Sequence, residues 1–308
     1  MPEEYARIIP KSRTRAGSNT PYNSFMNSLR VLGNSDTVLL EEFLAPHRDS
    51  SMFLRSNAHR AGLEYRGEVL QAIYVAAFRN EKVIGVAAHS WSGMLLVQAP
   101  EATEDVVREC VERSGRRVTG FAGPLDQVRL ARHALGLANA ETRMDGDEGL
   151  YALNLSDLVV PEALSRGDIE FRAPRADERD TLCQWRIAYD IETLGAADSD
   201  ETRERATKAL DTQIAAHNAW VAVERGRMVS LSAFNATLPD IVQLGGIYTP
   251  PELRGRGYAR AAVAGSLLAA RERGAGRAVL FTGNPSAIRS YQAIGFSRLG
   301  DFGLVLLR

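Results

Sequence analysis

The sequence predicts an α/β protein, a mixed α+β sheet fold built twice in tandem, and three observations carry that reading. At 308 residues the chain exceeds one typical domain. The stretch from Asp240 to Phe296 alternates apolar strand, glycine-rich turn, long helix, second strand and short helix. In the first half, GRRVTGFAGPLDQVRLARHALGL parallels the later AGRAVLFTGNPSAIRSYQAIGF with about a one-residue slip.

Composition narrows the classes. An apolar content of 45% suits a globular core, and a net charge of −1 offers no electrostatic case for nucleic acid. No apolar run approaches membrane-spanning length and no signal-peptide core is present. Cys110 and Cys183 fall on helix-like stretches of different halves and read as buried free thiols, which fits the cytoplasm. The histidines lack Cys or acidic partners in ligand spacings, so no metal site is expected.

In order, residues 1–34 read as a disordered tail, with Lys11, Arg13 and Arg15 among Ser, Asn, Gly and Pro. A first domain follows over 35–155. Ser35 or Asp36 caps a first helix, and a second runs from Ser51 to Ala61 in the polar run His47–His59, whose serines read as caps. Strands are expected at Gln71–Phe78, Lys82–His89, Met94–Gln98 and Arg117–Phe121. A helix is expected after Pro100 and another at Asp126–Leu135, with a hairpin-like ending at Leu150–Leu155. A linker occupies 156–167. The second domain, 168–308, opens on strand Ile169–Arg172 and helices Glu178–Ile191 and Glu201–Ala216. Strands Ala219–Glu224 and Met228–Ala236 join at a tight Arg225-Gly226 turn, strand Ile241–Tyr248 follows, and Ser297–Leu307 supplies a closing hairpin.

The chemistry concentrates after strand Ile241–Tyr248. The run Arg254-Gly255-Arg256-Gly257-Tyr258-Ala259 opens a helix, whose first backbone N–H groups lack partners and carry partial positive charge. Its glycines admit a phosphate closely and its arginines add charge, so the turn suits a pyrophosphate. A Walker loop is excluded because no Gly-Lys-Ser/Thr follows, and Arg260 occupies the small third position that a dinucleotide fingerprint requires.

Arg254, Gly257 and Ala259 match the Arg/Gln-x-x-Gly-x-Gly/Ala signature of the GCN5-related N-acetyltransferase (GNAT) family, and Asn284, Tyr291 and Gly295-Phe296 match its second signature. YTPPELRGRGYA also resembles the glycine-N-acyltransferase-like branch. The resemblance runs from Ile169 to the end and implies acetyl-CoA, or another acyl-CoA, as co-substrate; with the internal parallel it makes the chain two tandem GNAT-like domains. Where the second copy has Arg254 to Gly257 the first has Glu101-Ala102-Thr103-Glu104-Asp105, which repels phosphate, and opposite Tyr291 stands Ala131 or Arg132. The first copy therefore reads as degenerate.

Within the resemblance, Arg254, Gly255, Arg256, Gly257, Tyr258, Ala259 and Asn284 hold the coenzyme. The backbone near Ile247, Tyr248 and Thr249 holds its pantetheine arm. Gly245-Gly246 in that strand reads as close approach of the arm or as a bulge. Tyr291 is assigned as the general acid that protonates the thiolate, with simple core packing beside Ile288 as the alternative. No glutamate stands on the central strand as base, and Asp190, Glu192, Asp240 and His217 qualify on position alone. The expected function is N-acyl transfer from acyl-CoA to a primary amine of a small molecule or protein. The alternative is a non-catalytic acyl-CoA-binding regulator.

Overall fold

In the computed structural model, which describes residues 27–308, each half of the chain gives up its last strand to the other half. The first half supplies β1 (Ser28–Val31), α1 (Thr37–Leu44), α2 (Met52–Ala61), β2 (Ala72–Arg79), β3 (Lys82–Ser90), β4 (Met94–Gln98), α3 (Thr103–Ser114), β5 (Gly120–Pro124), α4 (Leu125–Ala134) and β6 (Thr142–Asn154). A four-residue helix α5 (Glu162–Ser165) crosses to the second half. There follow β7 (Glu170–Arg172), α6 (Arg179–Leu194), α7 (Asp200–Ala215), β8 (Ala219–Glu224), β9 (Arg227–Thr237), β10 (Ile241–Tyr248), α8 (Tyr258–Glu272), β11 (Arg277–Thr282), α9 (Pro285–Gln292) and β12 (Ser297–Leu307).

These strands form one sheet in the order β1-β2-β3-β4-β5-β12-β6-β11-β10-β9-β8-β7. β6 pairs with β11 of the second half, β12 pairs with β5 of the first, and β6 and β12 pair with each other from Ser297↔Ala152 to Leu307↔Thr142. The hairpin endings expected at Leu150–Leu155 and Ser297–Leu307 are therefore replaced by a long exchanged ladder. The period-2 pattern of each strand is satisfied by either partner, so sequence alone does not select between them.

Alternation along β6 sorts the layers. Tyr151 and Leu153 pack with Val263, Leu267 and Tyr291 of α8 and α9, whereas Leu150 packs with Leu40, Leu44 and Leu54 of α1 and α2. Leu182 and Leu210 of α6 and α7 cover Val221 and Leu231, and Val106, Val107 and Val128 of α3 and α4 cover Val97 and Phe121. One face thus carries α1, α2, α6 and α7, and the other carries α3, α4, α8 and α9. An ion pair between Asp49 and Arg277, at 2.5 and 2.8 Å, ties the halves further.

Several sequence expectations shift. Residues 1–26 of the expected tail lie outside the described residues, but Ser28–Val31, also placed in the tail, form the edge strand paired with β2, and Leu32 is buried. The linker is structured, with Leu158 and Leu164 packed on the second core. The strand expected at Arg117–Phe121 begins at Gly120, because Arg116 turns aside to donate to the carbonyls of His89 and Ser90. Ser50 and Ser51 do not cap α2 with their side chains; both donate to Gln98 Oε1. The turns at Asn80-Glu81 and Arg225-Gly226 have the positive φ values expected of tight hairpins.

Val305 lies at the seam, opposite Phe121 on one side and Asp145 on the other, and is buried in the first half's core. Val305→Ala should cost about 2 kcal/mol, from lost burial plus a residual cavity. Native-state hydrogen exchange should show β5 and β10 losing protection together; an effect confined to β5 would mean that the ladder does not couple the halves.

Candidate functional site

The site grows from a fork in the sheet. β10 and β11 run parallel and pair only through Ile241↔Arg277, Val242↔Ala278 and Gln243↔Val279. Beyond Gln243, β11 follows β6 as far as Thr282↔Gly149, while β10 stays with β9 through two register shifts, between Gln243 and Leu244 and between Gly245 and Tyr248. The segment from Leu244 to Tyr248 therefore has no strand partner on its β11 side among the described residues. Such a fork offers backbone donors and acceptors to whatever enters it.

The glycine pair sits at the second shift, so a bulge is present, and Gly246 takes a φ of +68°. The groups that approach these glycines closely are side chains: Asn235 lies over Gly245 and Arg186 over Gly246. Arg186 donates to Asp190 Oδ1 and Gln213 Oε1, both at 3.0 Å, and Gln213 Nε2 reaches Asn235 Oδ1 at 3.3 Å. This network covers the fork on the α6/α7 face.

At the end of β10 the chain makes a one-turn 3-10 helix (Pro251–Leu253) and enters α8 through Gly255 and Gly257, at φ +78° and +81°. Left-handed backbone at both positions leaves an open concavity at the helix start: a β-carbon on Gly255 would meet nothing within 4 Å. Ala261 N is the first amide of α8 bonded back along the helix, to Gly257 O, so the N–H groups before it point outward. Arg256 is exposed on the rim. Arg254, expected to lend its charge here, is otherwise engaged: its Nε donates to Thr249 O at 2.9 Å and its Nη2 to Glu192 Oε2 at 2.6 Å. Sequence reasoning missed Arg260, whose Nη2 lies 3.4 Å from where a Gly257 β-carbon would stand. Its Nε is buried without a hydrogen-bond partner among the described residues. A cation one turn into the helix, on the face of the nest, is the signal that could have identified it.

The other residues expected along the fork are placed as follows. Ile247 is half-buried, and Tyr248 is buried beside Trp185 with its hydroxyl on Glu192 Oε1. Thr249 Oγ1 lies 2.9 Å from Ser230 Oγ. Tyr258 opens α8 and donates to Glu224 at 2.7 Å; Ala259 follows it, half-buried. Asn284 is the N-cap of α9, its Oδ1 accepting from the Ser286 and Ala287 amides. Tyr291 is 6% exposed, packs against Phe296 and Leu280, and makes no hydrogen bond within the described residues. Burial, with the Tyr189 phenol nearby, pushes its hydroxyl well above the ordinary tyrosine range and keeps it protonated. Tyr189, on α6, is likewise raised by burial and lies close to the Gly246 backbone N–H.

The carboxylates expected as possible bases are committed elsewhere. Asp190 is buried against Arg186, Glu192 holds Arg254 and Tyr248, and Asp240 lies 3.7 Å from Arg55. His217 sits on an exposed turn at φ +53°. Sequence reasoning missed Glu148, which β6 carries from the first half to the end of β11. No local motif marks it.

The equivalent region of the first half is closed. β4 and β5 pair through Met94↔Gly120 to Leu96↔Ala122, and Gly123 then packs directly under the Val97 carbonyl, leaving no room for a side chain. The next amide, Ala99 N, donates to the buried Gln127 side chain at 2.6 Å, and Thr103 Oγ1 donates to Ala99 O at 2.5 Å. Glu104 and Asp105 occupy the first turn of α3. Among the described residues no group of three metal-ligating side chains gathers, and no helix is long and apolar enough to cross a membrane.

Residues 180–296 match the model of the acetyltransferase (GNAT) family, a segment that runs from α6 through the fork and the helix nest to Phe296. No curated protein matches the chain significantly by sequence. Among solved structures, a Drosophila protein at 13% identity aligns over 92% of this chain and 99% of its own, with a TM-score of 0.62. A GCN5-related N-acetyltransferase from Kribbella flavida, at 16% identity, covers 84% of this chain and 94% of its own with a TM-score of 0.55. Another from Sphaerobacter thermophilus, also at 16%, covers 91% and 94% with a TM-score of 0.54. Residues 180–296 therefore carry the pattern of the acetyltransferase (GNAT) family, and the chain as a whole has the fold of solved GNAT structures.

Proposed function

We propose that this chain is an acyl-CoA-dependent N-acyltransferase that moves an acetyl group directly from acetyl-CoA to a primary amine, with the coenzyme held by the second half alone. The observation that carries this reading is the open β10/β11 fork, flanked by the Gly255–Gly257 nest on one side and the protonated Tyr291 on the other. The outward N–H groups of Gly257, Tyr258 and Ala259 suit a pyrophosphate, with Arg256 and Arg260 supplying positive charge and Gly255 the clearance. Arg254 contributes by bracing the turn against Thr249 and Glu192. Backbone groups of Ile247, Tyr248 and Thr249 flank the arm, and Asn284 fixes the start of the helix that carries Tyr291.

Acyl transfer from a thioester requires a polarised carbonyl and a proton for the departing thiolate. The bulged amide at Gly246 suits the first task and the Tyr291 hydroxyl the second. The first half, with its fork closed by Gly123 and Gln127 and acids at its helix start, is read as an altered copy of the same unit that supports the active one. The two buried free thiols fit a reducing compartment such as the cytoplasm.

Calorimetry on the whole chain should find one acetyl-CoA site. Gly257→Glu should abolish it, because a carboxylate would enter the nest, while backbone strain at a positive φ costs only about 1–2 kcal/mol of stability. Retained affinity in the folded variant would move the phosphate site elsewhere.

Tyr291→Phe keeps the ring in the core and removes only the hydroxyl. Acetyl-CoA affinity and melting temperature should hardly change, while CoA release to an amine falls by about 10²–10⁴-fold. Turnover near wild type would leave Tyr291 a packing residue. A protein that binds acetyl-CoA and releases no CoA in either form would favour a regulator.

A further inference from the structure

Acyl transfer to an amine also needs a base, and the three acids the sequence offered for it, Asp190, Glu192 and Asp240, lie against arginines. We propose that Glu148, on the strand that the first half lends to the second, is the general base that takes the proton from the acceptor amine; the assignment rests on the acyltransferase reading above.

Placement argues first. Gly149 stands opposite Thr282 at the end of β11, so Glu148 projects one residue beyond that strand, at the mouth of the fork. Its Oε2 lies 3.3 Å from the position of a β-carbon on Gly283, and its Oε1 lies 2.9 Å from that of one on Gly146, so two glycines clear the space it occupies. Alternation along β6 puts Glu148 on the face of Leu150 and Ala152, opposite the face of Tyr151 and Tyr291. Acid and base thus approach the fork from opposite sides of the sheet. Tyr189 of α6 is coupled electrostatically to Glu148 and to Tyr291, and stands close to the Gly246 amide.

Pairing argues second. Of the acids on this part of β6, Asp145 is held by Arg132 and Asp147 by Arg129, both from α4. Glu148 has no ion pair among the described residues. Half burial and the neighbouring Asp147 raise its carboxyl above the ordinary glutamate range, opposed only by the Gly283 backbone N–H. Of the neighbouring charges, Arg186 stacks over Tyr189 and is bonded to Asp190, and on β12 Asp301 pairs with Arg298. A carboxylate held in this way is a better proton acceptor than an exposed one.

The step balances as follows. The neutral amine nitrogen attacks the thioester carbon, a C–N bond forms, and its extra proton passes to the Glu148 carboxylate. Collapse of the tetrahedral species breaks the C–S bond, and the leaving thiolate takes the Tyr291 hydroxyl proton. The phenolate then recovers a proton from the carboxylic acid or from solvent.

The test compares the full chain with Glu148→Gln. Acetyl-CoA affinity is measured by calorimetry. CoA thiol release is followed with glycine, glucosamine, spermidine and a tripeptide, alongside background hydrolysis, from about pH 5 to about pH 9. Equal affinity is expected, with release lowered by about 10²-fold or more and the rise of rate with pH, through the raised carboxyl pKa, abolished. The sign of the stability change also follows. A folded carboxyl pKa above its unfolded value means that the fold loses stability as pH rises from the unfolded through the folded pKa, so the Gln variant should melt above the wild type at neutral pH and level with it in acid. If Glu148→Gln folds poorly, Glu148→Asp should bind acetyl-CoA, retain the pH-dependent limb and lose only part of the rate. A folded, binding-competent Gln variant with wild-type release and pH profile overturns the base assignment, as does a wild type that binds acetyl-CoA but releases thiol no faster than buffer with every acceptor. Failure of the wild type to bind acetyl-CoA at all would instead remove the acyltransferase reading.

Discussion

The antiparallel ladder between β6 and β12 is the interaction on which the rest of the structure depends. Each strand continues the other half's sheet, so the central seam joins the two halves through backbone hydrogen bonds rather than through a side-chain interface. Backbone groups buried in a sheet must be paired, and here each half's edge is paired by the other's strand. The Asp49–Arg277 pair and the contact of Arg55 with Asp240 strengthen a connection that the ladder already imposes. Functionally, the exchange places a first-half residue, Glu148, at the end of a second-half strand.

The two halves show how one arrangement of strands yields two electrostatic outcomes. In both, a parallel pair separates after three registered positions. In the first half the gap is sealed by a glycine packed under a carbonyl and by a glutamine side chain that bonds the next free amide. In the second, β10 runs three residues longer than β4, and its glycines bulge under Arg186 and Asn235, so the fork stays open on the opposite side. The helix that follows begins with acids in one case and with two left-handed glycines in the other. Helix-terminus electrostatics follow from those few residues.

Much of this was legible locally. Strands Met94–Gln98, Ala219–Glu224 and Ile241–Tyr248 begin and end where their apolar runs do, and α8 starts at Tyr258 because Gly257 caps it. The glycine-rich start of α8 and the short helix that carries Tyr291 were readable because both are local features. The charge of Arg254 was visible in sequence and its partner was not: Glu192 lies 62 positions away. Asn284, expected to hold the coenzyme, also caps α9 through its Oδ1.

The sequence by itself determined the order of strands and helices, the apolar faces that bury them, the glycine-rich start of α8 and the acidic start of α3, because each depends on residues within a few positions of one another. Only the tertiary structure decided which half owns the last strands, which arginines are paired and which carboxylate stands beside the end of β11. A strand's alternation specifies its faces but not its neighbour, and the neighbour is set by long-range pairing across more than a hundred residues, as between Ala152 and Ser297.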